Sequence, residues 1–340
     1  MNATIEKIEE TILTLDIPGV FTEIKGNDVV YQFVSGFANR LQKHPNQLDT
    51  LFAVASGTKL FTALAIGKLI DEGKLHFETP ALDILDLGNP ELDRRMTIRH
   101  LLNHTSGLPD YLDESSAEQE ENTINALPNE SMLSPFDYLP FFPKKQNTSV
   151  PGAVFKYNNG AYVYLAMIIE KVTELSYETY ISQALLVPIG LSRTGAYSVT
   201  DLPTNTAIGY YKEKNQWQDH LKKIPAKAGG DGGIYVTCME MKRLWEAFLG
   251  GEIFSTDIIE QMVHPSVSVN SERKLYYGLG VWLKEETIDG VNVFIPYVTG
   301  SDVGISFKSS YRKKDRRFIF HVSNTSDGVW DLNQRINAFE

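Results

Sequence analysis

A single cysteine, Cys238, occurs among the 340 residues, so no intramolecular disulfide can staple this chain and its fold must rest on a packed core. Long apolar runs are also missing, and none would span a bilayer as a helix. Met1 to Glu10 is charged where a signal peptide would be apolar; the expectation is a cytoplasmic protein, or an exported one whose signal has been trimmed. Positive charge is in deficit. The formal net charge of -11 argues against a nucleic-acid surface, and the one basic cluster, Arg312 to Arg317, falls between two strand-like runs and reads as a solvated hairpin turn.

Several chemical signatures are absent as well. Neither G-x-S-x-G nor a G-x-G-x-x-G strand-to-helix turn is present, which removes the main evidence for an α/β-hydrolase or a dinucleotide-binding domain. Gly229-Gly-Asp-Gly-Gly233 lacks the G-K-[ST] ending of a phosphate loop and reads as a tight turn leading into a strand that lines a site. His100 and His104 are four apart on a predicted helix, a spacing that can bind zinc. With no H-E-x-x-H pattern or intervening carboxylate, packing or helix-end hydrogen bonding is the expectation. Cys238, in the apolar company of Tyr235 and Val236, reads as buried rather than reactive.

What is there begins with Ser56-Gly-Thr-Lys59, an S-x-x-K pattern. Residues three apart on a helix share a face, so the lysine amine can reach the serine oxygen. A serine hydroxyl needs a neighbour to take its proton, and lysine can do so only where burial or nearby positive charge lowers its pKa. The unpaired N–H groups of a helix start supply some of that charge. From Leu60 to Ile70 the chain is apolar on nearly all sides and stops at Gly73, the mark of a buried central helix opened by Ser56.

The ends of the chain match each other. Residues 4–15 show the spacing of an amphipathic helix, and Val20–Ile24 and Val29–Ala38 read as strands joined by a turn at Lys25 to Asp28. Gly304–Tyr311 and Arg317–Asn324 form a second hairpin pattern, followed by an amphipathic helix from Trp330 to Phe339. The simplest assembly is one antiparallel sheet built from both termini, with the terminal helices on one face and the Leu60 helix on the other. The middle is mainly helical, with Thr97–Asn103, Gly160–Glu174 and Tyr177–Leu186 as helices. An acidic stretch from Asp113 to Asn125 and a segment rich in Pro and Phe, Pro135–Pro143, look like a variable loop or a lid over a cleft, a solvated connection being the plainer reading.

Tyr157-Asn-Asn159, just before the helix from Gly160, completes a pattern with Ser56 and Lys59. Together they resemble the S-x-x-K and Y-x-N elements of the serine β-lactamase and penicillin-binding protein superfamily, on the class C β-lactamase and D-alanyl-D-alanine carboxypeptidase side. Thr97 to Leu108, Gly229 to Tyr235 and Tyr277-Gly-Leu-Gly280 resemble further family segments, in the family's order, from about Val20 to Phe320. The resemblance implies an α/β (α+β) fold, a mainly antiparallel sheet flanked by helices with an all-helical subdomain beside it. Residues 1–78 and 204–340 would form the sheet domain and 79–203 the subdomain.

It also implies roles. Ser56 would be the acylated nucleophile, Lys59 its base or proton relay, and Tyr157 a second acid/base. Asn159 would orient Lys59 and hold the substrate amide or ester. The backbone N–H groups of Ser56 and Ser301 would form an oxyanion hole. No metal or organic cofactor is implied. The family's third element, Lys or His followed by x-Gly, is Val298-Thr299-Gly300 here, so the basic residue is missing. If Val298 points in, strand alternation turns Tyr297 away. The lost cation shifts the expected small-molecule substrate toward a neutral ester or amide, and a β-lactam or a D-amino-acid peptide becomes the lesser expectation. It also motivates a second reading, a degenerate non-catalytic binding or regulatory module on the same scaffold.

Overall fold

The computed structural model describes residues 3–112, 114 and 126–337. Its centre is an eight-stranded antiparallel sheet. The strands are β1 (Gly19–Lys25), β2 (Asp28–Ser35), β5 (Val267–Asn270), β6 (Leu275–Tyr277), β7 (Trp282–Ile288), β8 (Val291–Asp302), β9 (Ile305–Arg312) and β10 (Arg317–Ser323), in the spatial order β5-β6-β7-β8-β9-β10-β1-β2. The β1–β2 and β9–β10 hairpins lie where the alternation predicts. At the first of them Gly26 takes φ 62° in a two-residue turn, a conformation open to glycine. The basic cluster forms the β9–β10 turn, where Arg312 clamps Asp315 at 2.7 Å and Lys314 pairs with Asp289.

Alternation along β1 sorts two cores. Val20 and Ile24 join the large core beneath the sheet, whereas Phe21 faces α1 (Ala3–Thr14) and α6 (Gly328–Asn337), packing with Ile8, Ile12, Val329 and Leu332. Both terminal helices thus sit on one face. The other face carries α2 (Thr58–Asp71), which is buried on all sides from Thr58 to Gly67 and ends with Gly73 at φ 71°. The large core continues from α2 into α4 (Asn159–Thr173) and α5 (Cys238–Gly250). Cys238 is 1% exposed, and burial pushes its thiol up to about 12.

Two sequence expectations change. The predicted helix through His104 stops at Leu102; α3 is Ile98–Leu102, and His104 lies beyond it with φ 59°, so the two histidines do not share a helix face. His100 closes a capping box instead, accepting from the Thr97 N–H at 3.2 Å through Nδ1. The stretch expected as a loop or lid lies outside the described residues from 113 to 125, Glu114 excepted. Its Pro- and Phe-rich continuation is not a solvated connection, because Tyr138 is 1% exposed and the bare backbone of Gly229 packs on its ring. No helix among the described residues is long and apolar enough to cross a membrane.

Candidate functional site

Ser56 is held from two sides. The short strand β3 (Phe52–Ala53) pairs with β4 (Ile234–Val236), Val54 N–H donates to Ile234 O at 3.1 Å, and Ile234 N–H donates to Thr58 Oγ1 at 3.0 Å. Between these anchors the chain makes a 3-10 turn, Ala55–Gly57, so Ser56 sits just before the α-helix rather than in its first turn. Ala55 adopts φ 44°, a costly region for a residue with a Cβ, held in place by the bonds around it. On the other side, a Cβ at Gly300 would lie 2.0 Å from Val54 O and 3.1 Å from Gly57 N. Only a glycine lets β8 come this close to the serine turn.

Lys59 is 2% exposed. Its Nζ bonds to Ser56 Oγ at 3.0 Å, Asn159 Oδ1 at 2.7 Å and the Asp231 carbonyl at 3.1 Å, which uses all three donors of an ammonium. Burial lowers its pKa from the ordinary lysine value, while the Asp231, Glu114, Asp110 and Asp302 carboxylates pull it back up. The amine is therefore easier to deprotonate than a surface lysine.

Tyr157 hydrogen-bonds to the Ser56 side chain, and its ring centroid lies 5.0 Å from Lys59 Nζ. Burial pushes its phenol well above the usual range, Glu114 adds to this, and the bond to Ser56 opposes it. The ring is wedged between His104, at 4.4 Å, and Trp282, stacked at 6.0 Å. His104 is kept neutral by burial and by Lys59, and its Nδ1 accepts from the Asn158 N–H at 3.1 Å. A position open to reading as a metal ligand thus supports the tyrosine.

Asn159 opens α4, whose free N–H groups are capped by Asp110: its carboxylate accepts from Asn159 N at 2.7 Å and Gly160 N at 2.8 Å. The Asn159 side chain holds Lys59 as expected. Its Nδ2, however, donates to Glu114 Oε1 at 2.6 Å and to Leu112 O at 3.4 Å. The donor expected to meet substrate is already engaged within the protein.

Of the strand residues, Ser301 lines the cleft together with Ser56, and Gly300 abuts the serine turn. Thr299 stands opposite Lys308 and does not line the cleft. Val298 is 3% exposed in the large core. Tyr297 takes the opposite face, as alternation demands, yet its ring stacks at 6.2 Å on Trp282 and so connects back to Tyr157. The cleft has a cavity volume of about 90 Å³. Sequence reasoning missed Asp110, Tyr111, Glu114, Asp231 and Tyr235 in and around it. For Asp231 and Tyr235 a signal existed, since the glycine pairs around Asp231 were read as a turn into a site-lining strand; for Glu114 there was none.

A family model, Beta-lactamase, matches residues 5–323. The chain belongs to the Beta-lactamase family. Its curated relatives include penicillin-binding protein 4* of Bacillus subtilis (strain 168), 29% identical over 289 residues that cover 79% of this chain and 60% of that protein. The chain thus spans less than two thirds of that relative's length. Among solved structures, a penicillin-binding protein from Bacillus halodurans superposes with a TM-score of 0.87 at 33% identity, over 98% of this chain and 99% of that one. An octameric penicillin-binding protein homologue from Pyrococcus abyssi gives 0.83 at 26% identity, over 100% and 77%. The Beta-lactamase fold therefore extends over the whole described chain, and the Ser56 cleft lies within it.

Proposed function

We propose that this member of the Beta-lactamase family is a serine hydrolase that cleaves an ester or amide through an acyl-enzyme on Ser56. The observation that carries this reading is the Lys59 amine, buried and bonded at once to Ser56 Oγ, Asn159 Oδ1 and the Asp231 carbonyl. A lysine kept in the core at the desolvation cost of its charge needs a reason, and activation of the adjacent serine supplies one.

In this mechanism Ser56 Oγ forms a bond to the substrate carbonyl carbon as its proton passes to the neutral Lys59 amine. Tyr157, bonded to the same hydroxyl, relays a proton to the leaving alcohol or amine as the C–O or C–N bond breaks. Water then attacks the acyl carbon, its proton follows the same relay, and the proton returns to Ser56 as the acid departs. The Ser56 and Ser301 N–H groups face the carbonyl oxygen during both steps, one such donor being worth about 2.7 to 4 kcal/mol.

Val298 supports a second reading, a binding module that has lost its chemistry, because no cation stands at that point of the strand. One experiment separates the two: hydrolysis of a short-chain p-nitrophenyl ester by the wild type and by Ser56→Ala, with mass spectrometry of the trapped acyl-enzyme. Turnover lost in the variant and an acyl adduct on Ser56 support the hydrolase; equal rates without an adduct leave the binding module.

A further inference from the structure

At Asn159 the cleft offers an acceptor where a donor was expected. Oδ1 holds Lys59, and Nδ2 is bound by Glu114 Oε1 at 2.6 Å and Leu112 O. The polar group that lines the cleft beside Asn159 is the Glu114 carboxylate, which when ionised only accepts. Asp231 and Asp302 line the same cleft, and Val298, turned into the core, brings no cation to it. Lys223 and Lys227 add positive charge to the lining, but Lys227 is paired with Glu178 at 2.8 Å. Separately, the Tyr235 hydroxyl, on a residue 1% exposed, lines this cleft and has no hydrogen-bond partner among the described residues. Buried hydroxyls are rarely left unpaired, and a ligand atom would satisfy this one.

We infer that the cleft selects substrates with a protonated amine on the acyl side, such as α-amino-acid amides or esters, the ammonium donating to Glu114 and a second polar group of the substrate meeting the Tyr235 hydroxyl. This rests on the reading of Ser56 as acyl acceptor. An ammonium carries three donors and no acceptor, which complements a carboxylate that is already fixed by Asn159. A substrate carboxylate at the same place would meet Glu114 with no cation on the strand to offset it. Leu112, Leu127, Tyr111 and Tyr138, which line the same cleft, would accept an apolar side chain on the α-carbon.

The test compares alanine p-nitroanilide, in both enantiomers, with its N-acetyl derivative, in wild type, Glu114→Gln and Tyr235→Phe, with p-nitrophenyl acetate as the common reaction control. Wild type should favour the free amine at least tenfold in kcat/KM. Glu114→Gln should lower that ratio about 10- to 100-fold, the worth of a hydrogen bond to a charged group. Tyr235→Phe should raise KM for the anilides more than it lowers kcat. If neither anilide turns over, competitive inhibition of ester hydrolysis by alaninamide and by N-acetylalaninamide carries the same comparison. Equal values for amine and N-acetyl compound in wild type, or a ratio unchanged by Glu114→Gln, overturn the inference. The two failures are distinguishable: p-nitrophenyl acetate hydrolysis that persists in Ser56→Ala removes the hydrolase reading itself, whereas Ser56-dependent hydrolysis blind to the amine removes only this one.

Discussion

The two walls of the cleft are built on different rules. On the helical wall, Ser56, Lys59, Asn159 and Asp231 form one hydrogen-bonded unit, with each polar atom committed to another. On the strand wall, Val298 is turned into the core, Tyr297 reaches Tyr157 only through Trp282, and the backbone near Gly300 and Ser301 is what approaches the serine. The helical wall is a chemical device set by short-range spacing. The strand wall is a shape, set by which side chain alternation sends to which face. Activation of the proposed nucleophile belongs to the first and the close approach of backbone to Ser56 to the second, so substitutions on the two walls should fail in different ways.

The largest effect is expected on the helical wall. Lys59→Ala removes the proposed proton acceptor and leaves Asn159 Oδ1 and the Asp231 carbonyl without their partner, and should lower kcat/KM for a p-nitrophenyl ester by about 10³ or more. A value within tenfold of wild type would dissolve the contrast, because Lys59 would then be a structural residue. Gly300→Ala is the strand-wall counterpart. Its Cβ would stand 2.0 Å from Val54 O, so β8 must retreat and carry the Ser301 N–H with it. If that N–H serves the oxyanion, the loss should be about 10²- to 10³-fold in kcat with KM less affected.

Val298→His sharpens the comparison from the opposite direction. It places a basic group where the strand has none, in a site 3% exposed. Acylation by a carboxylate-bearing β-lactam, followed by mass spectrometry, should rise about one to two powers of ten, the value of a charge-assisted hydrogen bond, while thermal stability falls because a polar group enters the core. No gain in acylation would mean that the strand wall has lost more than a charge.

The two walls also differ in how far they could be read from residues alone. Ser56 and Lys59 lie three apart, so their meeting is a local property of a helix start, and the apolar run after Leu60 marks α2 as central before any packing is known. The hairpins at β1–β2 and β9–β10 follow from strict alternation around short turns. The long central strand β8 was legible only around Gly300, because Pro296 and the polar tip near Asp289 interrupt the pattern in its first half. Asn159 was legible as a partner of Lys59, whereas the bond to Asp231 was not, for a different reason: its carbonyl is a backbone atom, brought in by pairing between β3 and β4. His104 was assigned to a helix because its spacing from His100 fits one, and only the left-handed turn after Leu102 shows that the ring is packing against Tyr157.

A smaller effect concerns pH. The Lys59 pKa lies below its ordinary value of 10.5 because burial outweighs four carboxylates. In its proposed role as base it works when neutral, so ester kcat/KM should climb with pH along a limb whose midpoint lies below 10.5. Glu114 is among the groups holding that midpoint up. Glu114→Gln should therefore move the limb toward lower pH, by less than burial has already moved it, and a limb displaced toward higher pH would contradict this balance of charges.

The smallest expected effect is on stability and involves Asp110, which joins the cap of α4 to the charge balance of the site. Burial and the nearby Asp231 carboxylate raise its pKa from 3.8 to about 7, despite N–H bonds from Gly160, Asn159 and Leu112 that favour its charged form. Between those two values the folded protein binds more protons than the unfolded chain, so wild-type stability should fall as pH rises from about 4 to about 7 and level off above. Asp110→Asn cannot titrate and turns an amide donor toward a backbone N–H, which should cost on the order of 1 kcal/mol. The wild-type advantage in chemical denaturation should thus be widest near pH 4 and narrow as pH rises to about 7. An advantage that grows with pH would mean that the three N–H bonds outweigh burial, with Asp110 ionised throughout and adding full negative charge to the field around Lys59.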